Sequence, residues 1–172
     1  EKFQKYKIEI IISDLKFIEK SNDKIQTKFI FDDLNIKYPK IYNVNNLKFP
    51  CINKPIKGSS SKDIKVLKSF SDLTINILKN KKNYFSKYIN KYSEFSADLY
   101  FSKDSCLKAI SVRERLEIRN GEVVKSITNK LLTNKLYKYF KKIEGAKGPI
   151  NIQFFYNKKK KDIYGIEINP RL

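Results

Sequence analysis

Residues 148–157 and 163–172 alternate apolar and polar side chains with a period of two, the pattern of extended chain lying with one face on a core. Ile150, Ile152, Phe154 and Tyr156 share one face of the first arm, and Gln153 and Asn157 share the other. In the second arm Tyr164, Ile166 and Ile168 are expected inward, with Glu167, Asn169 and Arg171 outward. The polar residues 158–162 between the arms predict the turn of an antiparallel hairpin. In that register Gln153 stands opposite Glu167. Two amide oxygens, a carboxylate and a guanidinium then share one sheet face.

Such a face has a chemistry. Oxygen donors suit Mg²⁺, a hard cation that keeps waters and shares phosphate oxygens with a substrate. Arginine adds a rigid fork of donors matched to a phosphoryl group. A polar outer face is equally what an ordinary half-solvated antiparallel hairpin presents, so the hairpin alone leaves both readings open.

The 172 residues suffice for one large domain or two small lobes, and 41% apolar with 13% aromatic residues excludes a disordered tail. No apolar run approaches the roughly 18 residues of a membrane span, and no signal-peptide pattern opens the chain. The expectation is a soluble, cytoplasmic protein without a membrane partner. Cys51 and Cys106 are isolated and the chain has no histidine, which excludes a zinc centre of the usual kind. The net charge of +19 invites a nucleic-acid reading. However, only four of the 37 basic residues are arginine, and the lysines are spread through every segment rather than gathered in a stripe. A nucleic-acid partner therefore ranks second.

Taken in order, the run Ile8-Glu9-Ile10-Ile11-Ile12 reads as a short buried strand, and residues 1–20 as the remnant of a preceding α/β domain. Ser21-Asn22-Asp23 supplies cap residues for a helix over 24–34, with Ile25, Phe29 and Ile30 on its apolar face. Residues 21–50 form a helical lead-in. A smaller lobe over 51–89 contains a strand ending at Lys54-Pro55, a loop Gly58-Ser59-Ser60-Ser61, and a return strand from Ile64. Backbone N–H groups of a tight Gly/Ser turn can cradle an anion, and Lys54 adds a point charge. A helix is expected over 69–80 and a strand over 84–89.

The larger lobe, 90–172, opens with a strand carrying Glu94, Ser96 and Asp98 on one face. A long strand over 107–119 then sets Arg113, Arg115 and Arg119 on one face. A helix over 129–143 buries Leu131, Leu132, Leu136, Tyr139 and Phe140.

These motifs resemble, in order, those of the ATP-grasp family, in the form seen in the large subunit of carbamoyl-phosphate synthetases. The resemblance rests on Lys54-Pro55 with the Gly58–Ser61 loop, Glu94 with Asp98, "Val-Arg-Glu-Arg-Leu-Glu-Ile-Arg-Asn-Gly-Glu-Val-Val-Lys" from Val112, and Gln153 with Glu167-Ile168-Asn169-Pro170-Arg171. It implies an α+β fold of two lobes whose antiparallel sheets clasp ATP. It also implies that Lys24, Lys54, Gly58, Ser59, Ser60, Ser61, Lys87 and Glu94 bind nucleotide. Gln153, Glu167 and Asn169 would hold Mg²⁺ or Mn²⁺, with Arg113 and Arg171 at the reacting groups. Ser60 stands where the family carries a second glycine, and Ser86-Lys87 replaces its usual Gln-Glu pair. The implied activity is that of a ligase that activates a carboxylate as an acyl phosphate for attack by an amine. A catalytically idle nucleotide-binding module is the alternative, and a nucleic-acid-binding domain comes last. Because the chain starts at Glu1 and stops just after the last motif, it reads as a piece of a longer protein with weak turnover of its own.

Overall fold

The computed structural model describes residues 6, 10–58, 63–119 and 121–171. Two antiparallel sheets, flanked by helices, make an α+β fold. The first sheet contains β1 (Ile41–Tyr42), β2 (Cys51–Pro55), β3 (Lys65–Leu67) and β4 (Asn83–Lys87) in the order β1-β4-β2-β3. The second contains β5 (Ser93–Phe101), β6 (Leu107–Arg119), β7 (Glu122–Thr128), β8 (Gly148–Asn157) and β9 (Asp162–Pro170) in the order β7-β6-β5-β8-β9.

The larger sheet packs its inward face on helices. Phe95, Ala97, Leu99, Ile150, Ile152, Phe154 and Ile168 form one buried cluster with residues of α2 (Lys24–Asp33) and α4 (Lys130–Phe140). The α2 helix starts where the Asp23 carboxylate accepts from the N–H groups of Ile25 and Gln26, a side-chain cap. It buries Thr27, Ile30 and Phe31, whereas Phe29 is half exposed. The expected face was therefore rotated, with Phe31 rather than Phe29 at its centre.

Phe31 is fully buried against Gly165, where any Cβ would come within 2.5 Å of the ring. In α4 the buried residues are Leu132, Leu136 and Phe140, spaced by four, while Leu131 is almost wholly exposed. Leu131 is not on the buried side expected for it. It lies one residue, about 100° of helix turn, from the Leu132 stripe.

Two other expectations are corrected. The helix expected over 69–80 is broken into a 3₁₀ turn (Phe70–Asp72) and α3 (Ile75–Lys79), because Asp72 and Thr74 each cap a short turn of their own. Ile10, Ile11 and Ile12 are exposed and outside any strand, while Ile8 and Glu9 lie outside the described residues. Next comes α1 (Leu15–Asn22), which sequence reasoning missed; its Phe17 joins the main cluster. The Asp14 N–H donates to Gly145 O at 2.8 Å.

Candidate nucleotide site

The two sheets face each other over a cavity of about 940 Å³. Its walls combine Asp23 and Lys24 at the start of α2, Lys54 to Gly58 from the smaller sheet, and Glu94, Arg115, Gln153 and Glu167 from the larger. Of the residues singled out from sequence, the cavity gathers Lys24, Lys54, Gly58, Glu94, Gln153 and Glu167. Ser59, Ser60 and Ser61 lie outside the described residues.

The acidic side is built by strand register. Gln153 is the cross-strand partner of Glu167, Ser96 pairs with both Gln153 and Arg113, and Asn151 pairs with Asn169. Asn169 donates its side-chain N–H to Glu167 Oε1 at 2.9 Å. The donor set is one carboxylate and two amides, with no thiolate or imidazole. It suits a hard divalent cation, and a single carboxylate suits one shared with phosphate oxygens. Gln153 and Glu167 line the cavity and Asn169 does not, but its hydrogen bond to Glu167 keeps it beside them, so the three fit the group in chemistry and adjacency.

The basic side comes from Lys24 and Lys54. Lys24 Nζ donates to Gly58 O at 2.6 Å, and its backbone N–H donates to Ile56 O at 3.0 Å, so α2 grips the loop after β2. Lys54 is buried, its Nζ 5.4 Å from the Tyr84 ring centroid. Burial, and then the neighbouring Lys24, push the Lys54 ammonium down to about 8, with Glu167 opposing. Burial also lowers Lys24, again against Glu167. Two crowded, partly desolvated cations make this wall electrostatically suited to an anion.

Tyrosines tie this wall to the main core. Tyr38 Oη lies 3.3 Å from Tyr84 Oη and donates to Lys24 O at 2.9 Å. Burial raises both phenols, Tyr38 to about 12, so they remain neutral donors.

Other expected residues lie elsewhere. Lys87 is exposed at the end of β4, with its N–H on Lys40 O at 2.8 Å. Arg113 pairs with Asp98 at 2.8 Å and donates to Ser96 Oγ at 3.2 Å, two residues along β6 from Arg115. Arg171 is exposed beyond β9, its N–H on Pro149 O at 2.9 Å. None of these three lines the cavity.

Arg115 does line it. It pairs with Glu94 and donates to Gln153 Oε1 at 2.5 Å and Gly121 O at 3.0 Å. Burial raises the Glu94 carboxyl, and the Arg115 charge opposes that rise. The arginine-rich alternation of β6 flagged this residue, but nothing in the pattern distinguished it from Arg113. The face itself also changes. The ladder shifts between Arg115 and Glu117, so Ile118 joins Arg115 on the cavity while Arg119 pairs with Glu117 in solvent. Arg119 does not share the face expected for it.

Two sheets clasping a basic and oxygen-lined cleft define a fold class, and comparison with known proteins identifies it. The model of the ATP-grasp domain matches residues 21–172, and the chain belongs to the ATP-grasp family. It is 22% identical over 191 residues to a carbamoyl-phosphate synthase of Methanobrevibacter smithii, covering 95% of this chain and 49% of that protein. The chain thus spans about half the length of this curated relative.

Among solved structures, the D-alanine–D-alanine ligase of Helicobacter pylori is 26% identical with a TM-score of 0.67, over 98% of this chain and 56% of that one. Biotin carboxylase of Campylobacter jejuni is 16% identical with a TM-score of 0.76, over 99% and 45%. N5-carboxyaminoimidazole synthetase of Staphylococcus aureus, complexed with ADP, is 20% identical with a TM-score of 0.72, over 93% and 47%. Among the described residues no helix is long and apolar enough to cross a membrane.

Proposed function

We propose that this domain binds ATP with Mg²⁺, or Mn²⁺ in its place, and activates a carboxylate for attack by an amine. The observation that carries this reading is the convergence of Lys24 and Lys54 from one wall with Gln153 and Glu167 from the other on a single cavity. Lysines opposite oxygen ligands suit a polyphosphate carrying a divalent cation. The names of similar proteins, a D-alanine–D-alanine ligase, an N5-carboxyaminoimidazole synthetase and a carbamoyl-phosphate synthase, support a ligase or synthetase reading.

In this mechanism Lys24 and Lys54 hold the phosphates, and Glu94 accepts from the ribose hydroxyls. Gln153, Glu167 and Asn169 hold the cation, which when bound neutralises phosphate charge and polarises the γ-phosphoryl. A carboxylate oxygen attacks the γ-phosphorus, and the bond to ADP breaks with its electron pair leaving on ADP. An amine then attacks the carbonyl carbon of the acyl phosphate. Phosphate departs, and the nitrogen loses a proton to solvent. Arg171 steadies the moving phosphoryl by swinging toward the cleft from its exposed position, and Arg113 orients an anionic substrate after leaving Asp98 and Ser96, which hold it half-buried.

Calorimetric titration with ATP, with and without Mg²⁺, tests the binding half. ADP release across a panel of carboxylic acids and amines tests the other. Binding without acceptor-dependent release would favour the idle-module alternative. No binding at all would refute the reading.

A further inference from the structure

Arg115 is unusual for a cleft residue because its side chain is only 6% exposed. A guanidinium does not shed its proton in a protein, so its charge stays buried and must be met by acceptors. Three oxygens from three places surround it. Nη1 meets both Glu94 Oε1 and Gln153 Oε1, and Nη2 meets Gly121 O just past β6. Nε is buried without a hydrogen-bond partner among the described residues. An orphaned donor next to a buried charge is a cost that a packing role could have avoided with an apolar side chain.

We propose that Arg115 is a positioning residue, a tethered cation that locks the nucleotide-facing carboxylate Glu94 and the cation-facing amide Gln153 into one frame. This rests on the ATP reading above. A guanidinium only donates, so its contact turns the Gln153 carboxamide oxygen, not the nitrogen, toward the cleft. One lone pair of that oxygen meets Arg115, leaving the other for a divalent cation. The same Nη1 holds Glu94 beside it, so the two halves of the site share one anchor. Without the arginine, Gln153 can rotate its nitrogen into the cleft and Glu94 can swing away.

The test uses Arg115→Ala and Arg115→Lys in the whole chain. Folding is checked by circular dichroism, and ATP affinity is read by calorimetry at zero and millimolar Mg²⁺. Arg115→Ala is expected to lose at least tenfold in ATP affinity and most of the Mg²⁺ dependence. Millimolar methylguanidinium, which fills the vacated three-oxygen nest, is expected to restore both. Arg115→Lys keeps the charge but cannot bridge Glu94, Gln153 and Gly121 at once, so it is expected to fall between the two.

Wild-type affinity and Mg²⁺ dependence in a folded Arg115→Ala overturn the proposal, as does a loss that methylguanidinium leaves unchanged. If Arg115→Ala does not fold, Arg115→Lys decides, and wild-type behaviour there overturns it. A wild-type chain that binds no ATP overturns the nucleotide reading and this one together. ATP binding that is insensitive to Arg115 overturns this one alone.

Discussion

Gln153 lies directly opposite Glu167 across the β8–β9 ladder, yet the next residue, Phe154, lies opposite Gly165. Ile166 is therefore an extra residue, a bulge that turns its side chain to the cavity beside Glu167. It was expected inward. Past the bulge the parity flips, so Ile163 and Gly165, rather than Tyr164, face the core. The bulge also sets the only carboxylate of the proposed cation site against the ammonium wall.

Glu167→Ala is expected to lower ATP affinity in Mg²⁺ by at least tenfold while changing it little without Mg²⁺. Paired titrations with and without the cation measure this. An unchanged Mg²⁺ dependence would remove Glu167 from the cation site.

Lys54 makes a separate prediction about stability. Its ordinary value of 10.5 falls to about 8 in the folded protein, chiefly through burial. Below about pH 8 the group is charged in both states, and the folded state bears the full cost of holding that charge. Between about 8 and 10.5 the unfolded chain binds more protons, so this contribution to stability recovers as pH rises. Lys54→Met keeps the stem and removes the charge. It is expected to unfold later than wild type at pH 7, by about 3 kcal/mol at most, yet to bind ATP worse. Urea melts at pH 7 and 10 check it, and the gap between the two proteins should shrink at pH 10.

Gly165→Ala is expected to destabilise by about 1–3 kcal/mol, because its Cβ would overlap the Phe31 ring in a filled core. Thermal melts read the loss. Phe31→Leu in the same chain should recover part of it by freeing space, and a double variant no better than Gly165→Ala would contradict the contact.

The charge of +19 predicts only non-specific binding to duplex DNA. Affinity should fall steeply, by about 10³–10⁵ for six to ten phosphate contacts, between 50 and 200 mM salt. Sequence-selective binding that survives 200 mM salt would instead promote the nucleic-acid reading.

The sequence by itself determined what depends on neighbours along the chain. Alternation in residues 148–157 and 107–119 marked β8 and β6. The Gln153–Glu167 pairing expected from a turn at 158–162 is met by a shorter turn at 158–161, because Asp162 pairs with Asn157 and the bulge at Ile166 makes up the missing residue. Asp23 was legible as a cap, since capping is decided within three residues. The order of the motifs carried the family.

Only the tertiary structure decided what depends on packing between distant segments. One unpaired residue in β9 and another shift in β6 reversed the facing of everything beyond them, and no period-two pattern announces a bulge. Phe31 became a core residue because Gly165, on a strand 134 positions later, leaves room for its ring. Arg115 rather than Arg113 entered the cavity because Glu94, Gln153 and Gly121 meet there. Buried charge goes where its partners converge, and that convergence exists only once the sheets have assembled.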